Sequence, residues 1–153
     1  MADSCEICER IARFTPDNPY LIGELSTGYA VLGDNQYYRG YTIFVAKQCV
    51  PELHDLPLDV RLRFLAEMSQ VAEAVFRAFE PRKLNYELLG NSVSHLHWHL
   101  FPRYADDPHE QWPVWSNEAF LQAPRRTEMA TAELAGLRER VRDALVSTQA
   151  RTA

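Results

Sequence analysis

The sequence predicts an α+β fold, in which an antiparallel sheet of about five strands packs against one long helix and a second helix lies near the C-terminus. Residues 20–47 contain three short segments rich in β-branched and aromatic side chains, a composition typical of strands joined by turns. Residues 58–79 carry apolar side chains at every third or fourth position, which is the spacing of an amphipathic helix. Two further extended segments follow at 84–89 and 95–101. The long helix therefore separates two groups of strands.

The composition fits one compact domain spanning residues 1–153. With 153 residues, 46% of them hydrophobic, the chain can bury a sizeable core without disulfides. A formal net charge of -5 argues against a broad DNA- or RNA-binding surface but leaves room for a small anionic ligand. No apolar run reaches the roughly 18 residues of a membrane span, and residues 1–3 do not begin like a signal peptide. We therefore expect a cytoplasmic protein with neither a membrane nor a nucleic-acid partner.

A short helix and three strands are predicted for the first third of the chain. The helix covers Ile7–Phe14, where apolar residues recur at helical spacing, and the segment 15–19 with its two prolines ends it. Strands at Tyr20–Glu24 and Tyr29–Gly33 flank a short segment with glycine, which is the length of a hairpin turn. The β-branched and aromatic segment Gly40–Lys47 is expected to pair beside this hairpin.

The long helix is predicted at Leu58–Phe79, with Pro57 in its first turn and Glu80–Pro81 at its end. A strand at Leu84–Leu89 follows, and a second amphipathic helix is predicted from about Thr127 to Val146. The apolar stripe of the long helix faces the core, and no ligand is assigned to it. It consists of Leu62, Leu65, Met68, Ala72, Val75, Phe76 and Phe79.

The segment His95–Phe101 alternates histidine with large apolar residues. Side chains of an extended strand alternate between its two faces, so the histidines share one face and the apolar residues form core on the other. Each residue rises about 3.3 Å, which places neighbouring imidazoles roughly 6.5–7 Å apart, too far for a direct hydrogen bond. The histidines could contact one extended charged substrate, serve different partners, ligate a metal, or merely decorate the strand. They are His95, His97 and His99, opposite Leu96, Trp98 and Leu100.

This alternation resembles the signature of the histidine triad family of nucleotide hydrolases and transferases. The resemblance extends from Cys5 to about Tyr104, which implies a catalytic core at residues 5–104 followed by a C-terminal loop and helix at 105–148. It implies attack on the α-phosphorus of a dinucleoside polyphosphate or a nucleoside phosphoramidate, through a covalent nucleotidyl-histidine. Because family members usually dimerise, it also implies a homodimer in which edge strands near the histidines join.

The resemblance implies a separate role for each histidine. His97 would be the nucleophile, since a neutral imidazole is nucleophilic near pH 7. His99 would bind the phosphoryl or bridging oxygen and help the leaving group to depart. His95 would either orient His97 or ligate zinc.

Three further residues are expected to bind substrate. Asp34 follows the second strand and matches the family carboxylate that holds the ribose hydroxyls, although an aspartate capping a turn is the alternative. Asn91 and Ser92 lie in the turn before the histidine strand, where their side chains could hold phosphate oxygens. Asn91 stands where the family usually has glutamine, and a purely structural turn remains the alternative.

The three cysteines suggest a structural zinc site. Cys5 and Cys8 form a Cys-x-x-Cys pair, for which redox activity or inert thiols are the alternatives. Two more ligands are needed, and the family places a histidine where this chain has Cys49. The resemblance therefore implies Cys5, Cys8, Cys49 and His95 as ligands, with His54 as the competitor of Cys49.

The remaining observations leave alternatives open. Arg103 could contact phosphate or a surface acid, and the Trp112–Trp115 segment could cap a base or pack at a subunit interface. Two other functions also fit the pattern. One is a metal-dependent hydrolase that uses the histidines as ligands, and the other is a nucleotide-binding module without catalysis.

Overall fold

The computed structural model describes residues 5–123, 129 and 131–152. Its helices are α1 (Glu6–Ile11), α2 (Leu58–Phe79), α3 (Glu118–Gln122) and α4 (Thr131–Thr152), and its strands are β1 (Leu21–Glu24), β2 (Gly28–Leu32), β3 (Thr42–Ala46), β4 (Lys83–Glu87) and β5 (His97–Arg103). This arrangement confirms the predicted α+β fold. None of the helices within the described ranges is long and apolar enough to cross a membrane.

The five strands form one antiparallel sheet in the order β1-β2-β3-β5-β4. The histidine strand β5 is therefore hydrogen-bonded on both sides. Its register places Val45 of β3 opposite His97, while Ile43 of β3 and Glu87 of β4 flank His99. Pairing on both sides restricts the backbone beneath the imidazoles.

One face of the sheet packs against α2 and α4 and holds the main core. Phe44 of β3 stacks on Phe64 of α2 with ring centroids 4.9 Å apart, and Leu100 of β5 is buried in the same cluster. The opposite face carries a smaller cluster, in which Tyr41 stacks on Phe101 at 4.0 Å. The alternation along β5 thus directs Leu100 toward the helices and the side chains of His97, His99 and Phe101 away from them.

Several element boundaries differ from the prediction. Helix α2 has the predicted limits. Helix α1 ends at Ile11, because the N–H groups of Arg13 and Phe14 bond three residues back, as in a tighter turn. Helix α4 continues past Val146 to Thr152, and its predicted start at Thr127 lies outside the described residues. The short α3 was not predicted. Asn117 initiates it by accepting hydrogen bonds from the N–H groups of Ala119 and Phe120.

Arg103 contacts a buried acid. It lies at the end of β5, is 1% exposed, and donates to the Asp107 carboxylate at 2.6 Å. It also donates to Asn85 Oδ1 and to the backbone carbonyl of Trp112. These contacts attach the segment after β5 to the sheet.

Candidate functional site

One cleft of about 480 Å³ opens on the sheet face opposite α2 and α4. Five residues that were predicted for catalysis or substrate binding line it, namely Asp34, Asn91, Ser92, His97 and His99. They come from the end of β2, the turn before β5, and β5 itself. The fold therefore brings together residues that are separated by more than fifty positions in the sequence.

His97 and His99 contact each other in this cleft. Their Nε2 atoms are 3.0 Å apart, so the expectation that neighbouring imidazoles lie too far apart for a hydrogen bond was wrong. That expectation used the spacing along the backbone. The rings instead approach each other edge to face, with centroids 4.7 Å apart.

The partner of His97 Nδ1 determines which nitrogen of this ring carries the lone pair. Nδ1 lies 2.6 Å from the backbone carbonyl of His95, and a carbonyl can only accept. A neutral His97 therefore carries its proton on Nδ1 and has a lone pair on Nε2, an assignment made from the partners. The nitrogen with the lone pair is therefore the one that lies 3.0 Å from His99 Nε2.

Burial keeps both cleft histidines neutral. It lowers the pKa of His97, and it lowers the pKa of His99 to about 4, with a further contribution from His97. At neutral pH the Nε2 lone pair of His97 is therefore available to attack an electrophile.

The lowered pKa of His99 predicts acid sensitivity of the fold. The unfolded chain takes up a proton on His99 near pH 6.5 and the folded chain only near pH 4, so stability falls as the pH drops through this window. At pH 4.5 the difference between the two pKa values lowers the free energy of unfolding by about 2–3 kcal/mol. In urea denaturation, His99→Asn should lose less stability than the parent between pH 7 and pH 4.5, by about this amount. Equal losses in the two proteins would contradict the shift.

Two residues that the sequence reasoning missed also reach the cleft. The Tyr41 hydroxyl lies 2.6 Å from His99 Nδ1. Both terminal nitrogens of Arg10 in α1 donate hydrogen bonds to the carboxylate of Asp34, at 2.9 and 2.6 Å. Asp34 is therefore held at the rim by a bidentate ion pair. No local pattern in the sequence indicated either contact.

Trp115 lines the cleft beside His99, and Glu87 contacts it. The Trp115 ring meets the His99 ring edge to face at 5.7 Å, and its Nε1 donates to the Glu87 carboxylate. Trp112 is 64% exposed, whereas Trp115 lines the cleft. Glu87 lies directly opposite His99 in the pairing of β4 with β5. A correct register for these two strands would therefore have identified Glu87 as a neighbour of the site.

An apolar pocket of about 280 Å³ adjoins the cleft at His97 and Arg10. Helix α1 and the segment after it form one wall, and the exposed face of the sheet forms the other. The apolar lining consists of Ile7, Ile11, Phe14, Val31, Leu32, Ile43, Val45 and Val93. The pocket therefore offers a ligand mainly hydrocarbon contacts.

A second cluster lies around His95, just before the histidine strand β5. Ligand atoms of Cys5, Cys8, Cys49 and His95 all lie within 4.8 Å of one another. The side chain of His54 is 76% exposed and lies near Asp55, and His54 does not belong to this group. Of the two candidates for the third position, the fold therefore places Cys49 in the cluster.

The orientation of His95 suits a metal ligand. Its Nε2 lies 2.8 Å from the carbonyl of Ala46, so this nitrogen donates. Nδ1 then carries the lone pair, and it faces the sulfurs of Cys5 and Cys8 at 3.4 and 3.5 Å. Three thiols and one imidazole form a donor set that fits a closed tetrahedral zinc site. The His95 ring thus faces the thiols, while His97 and His99 face the cleft.

Comparisons with known proteins agree with this geometry. Residues 18–106 match the family model described as HIT domain. Protein hit of Bacillus subtilis (strain 168) is 28% identical over 108 residues, which cover 67% of this chain and 73% of that protein. A histidine triad protein from Marinobacter aquaeolei VT8 has a crystal structure similar to this one, with a TM-score of 0.73 and 26% identity, over 92% of this chain and 95% of that chain. A zinc-bound histidine triad family protein from Mycobacterium smegmatis matches with a TM-score of 0.69 and 20% identity, over 97% of each chain.

Proposed function

Because the chain belongs to the histidine triad (HIT) family, we propose that it hydrolyses or transfers nucleotides at the α-phosphate of a nucleoside phosphate derivative. The substrate would be a dinucleoside polyphosphate or a nucleoside phosphoramidate. The observation that carries this proposal is the Nε2 lone pair of His97, which faces the cleft while Nδ1 donates to the His95 carbonyl at 2.6 Å. That arrangement suits a nucleophile.

The reaction would proceed in two displacements at phosphorus. In the first, His97 Nε2 forms a bond to the α-phosphorus as the bond to the leaving group breaks, which produces a nucleotidyl-histidine. The His95 carbonyl stabilises the charge that develops on the ring through Nδ1–H. His99 Nε2–H, which contacts His97 in the free cleft, would donate to a phosphoryl or bridging oxygen instead. In the second displacement, water attacks phosphorus and loses a proton to the solvent while the N–P bond breaks. Neutral His97 is regenerated and a nucleoside monophosphate is released.

The same geometry suggests how the nucleotide binds. The apolar pocket beside His97 would hold the base. Asp34, which lines the adjoining cleft, would accept hydrogen bonds from the ribose hydroxyls. Asn91 and Ser92 also line the cleft and would donate to phosphate oxygens. The base, ribose and phosphate would then follow one continuous groove.

Asp34→Ala is expected to weaken nucleotide binding by about 1.5–3 kcal/mol, or about 10- to 150-fold, because a charge-assisted hydrogen bond to ribose is lost. Calorimetric titration with adenosine monophosphate measures this. Glu24→Ala is the matched control, since it removes another carboxylate that pairs with a surface cation, Lys47, at 2.6 Å. Equal affinities for Asp34→Ala and the parent would remove Asp34 from the binding site.

We also propose that the cluster of Cys5, Cys8, Cys49 and His95 binds one structural zinc ion. When bound, the ion would cross-link the N-terminal helix to the segments around β3 and β5. The zinc-bound relative from Mycobacterium smegmatis and the donor set support this assignment. All four ligand positions would be filled by protein, so the reaction would proceed at His97 and not at the metal.

A homodimer is the third part of the proposal. Strand β4 ends the sheet, and an unpaired edge strand is a surface that proteins commonly cover. Tyr86 and Leu89, at and just beyond this edge, are 48% and 49% exposed. Joining two such edges would bury them and extend the sheet across both protomers.

A product profile tests the proposed activity. The purified protein is incubated with diadenosine polyphosphates and with adenosine phosphoramidate, and the release of adenosine monophosphate is measured with and without a chelator. Turnover that persists with the chelator supports histidine nucleophilic catalysis. Turnover that the chelator abolishes on a folded protein would indicate a metal-dependent hydrolase, and binding without turnover would indicate a non-catalytic module.

A further inference from the structure

We propose that Tyr41 is a positioning residue, whose hydroxyl fixes which ring nitrogen of His99 carries the proton. The hydroxyl lies 2.6 Å from His99 Nδ1, within the short range of a good hydrogen bond. Tyr41 precedes β3 and is 6% exposed, so water does not compete freely for this contact. The consequence for catalysis rests on the proposed function, whereas the protonation pattern does not.

Two close contacts restrict the ring of Tyr41. It stacks on Phe101, with centroids 4.0 Å apart and an angle of 13° between the rings. It also packs so closely against Gly33 that a Cβ on this glycine would lie 2.1 Å from the Tyr41 ring. Only glycine leaves room for the ring at this position. The hydroxyl therefore points at His99 with little freedom to turn away.

The backbone carbonyl of His95 determines the direction of each hydrogen bond in the series from His97 to His99 to Tyr41. His97 Nδ1 must donate because the His95 carbonyl can only accept, so the Nε2 of a neutral His97 is an acceptor. The contact between the two Nε2 atoms at 3.0 Å then needs its proton from His99. A neutral His99 protonated on Nε2 has its lone pair on Nδ1, and the Tyr41 hydroxyl donates to it.

The hydroxyl is suited to act as this donor. Burial raises the pKa of Tyr41 well above its ordinary value, and the charges of Asp34 and Glu87 add to the effect. Tyr41 therefore keeps its proton at every pH at which the protein would be assayed. Without the hydroxyl, the half-buried Nδ1 of His99 loses its donor, and protonation on Nδ1 becomes competitive.

This protonation pattern matters for the proposed reaction. Only a His99 protonated on Nε2 can donate to a phosphoryl or bridging oxygen in the cleft. If the proton moves to Nδ1, the lone pairs of His97 and His99 face each other and the donor is lost. The effect should fall on the chemical step, because the developing charge is greatest in the transition state.

The test compares Tyr41→Phe with Tyr38→Phe. The first variant keeps the stacked ring and removes only the hydroxyl. Tyr38 is the matched control, since it is 3% exposed, belongs to the same aromatic cluster, and its hydroxyl contacts Asn117 at 2.9 Å. Long-range ¹H–¹⁵N correlation spectra of the free proteins report which histidine nitrogens are protonated. Steady-state kinetics report kcat and KM, measured on whichever of the diadenosine polyphosphates and adenosine phosphoramidate the parent protein hydrolyses fastest.

We expect His99 to be protonated on Nε2 in the parent and in Tyr38→Phe, and to be mixed or protonated on Nδ1 in Tyr41→Phe. We expect kcat of Tyr41→Phe to fall about 10- to 100-fold with KM nearly unchanged. A parent His99 protonated on Nδ1, or spectra unchanged in Tyr41→Phe, would overturn the inference. A changed protonation pattern with unchanged kcat would also overturn the positioning role. Because the spectra need no substrate, a parent that turns nothing over would contradict the proposed function alone.

Discussion

His97→Ala should abolish turnover and leave the fold and nucleotide affinity largely intact. A nucleophile forms its bond in the transition state, so its loss reduces kcat far more than it reduces binding. We expect kcat to fall by about three orders of magnitude or more. Calorimetry with adenosine monophosphate should give an affinity close to that of the parent, because the base pocket and Asp34 remain. Mass spectrometry of the quenched parent reaction should detect a nucleotidyl adduct that the mutant lacks.

His54→Ala is the control for this experiment. Its side chain is 76% exposed and lies outside the cleft lining, so its removal should leave kcat unchanged. His97→Gln provides a second variant that retains most of the side-chain volume in case the alanine protein unfolds. A folded His97 mutant with more than about a tenth of the parent kcat would remove His97 as nucleophile, because such a loss is only about 1.4 kcal/mol.

Removal of the proposed zinc ion should lower the melting temperature substantially. Cys5 and Cys8 attach the N-terminal helix to Cys49 and His95, and this helix would otherwise be held mainly by Arg10 and its apolar residues. A cross-link of this kind contributes about 3 kcal/mol, which corresponds to about 6–12 °C for a chain of this size. Calorimetry with and without a chelator, combined with elemental analysis, should show one zinc per chain and a melting temperature that depends on it.

Two matched substitutions identify the third ligand. Cys49→Ser should lower the zinc content and the melting temperature, whereas His54→Ala should change neither. Loss of zinc in His54→Ala alone would transfer the ligand role to His54. A protein without zinc, whose three thiols all react freely in the folded state, would refute the site. Because helix α1 also forms a wall of the apolar pocket, zinc removal should raise KM more than it lowers kcat.

The sequence by itself determined the fold class and the separation of the two faces of β5. The limits of α2 followed from the apolar stripe, and the orientation of His97 and His99 followed from their alternation with Trp98 and Leu100. Both are local properties, since the helical period and the pleat of a strand are set by neighbouring residues. Helix α3 was not predicted. Its start depends on the hydrogen bonds that the Asn117 side chain accepts, and not on a pattern of apolar residues.

Only the tertiary structure decided how the side chains of the site meet. The contact between His97 and His99 depends on ring orientation, which backbone spacing does not reveal. The partners Tyr41 and Arg10 lie 58 and 24 positions from the residues that they contact, so no local pattern indicated them. The choice of Cys49 over His54 also required the fold, because both residues follow β3 closely in sequence and only Cys49 faces Cys5, Cys8 and His95. The alternation of residues in the sequence determines which face of a strand a side chain occupies. The distance between two side chains depends on how separate helices and strands pack.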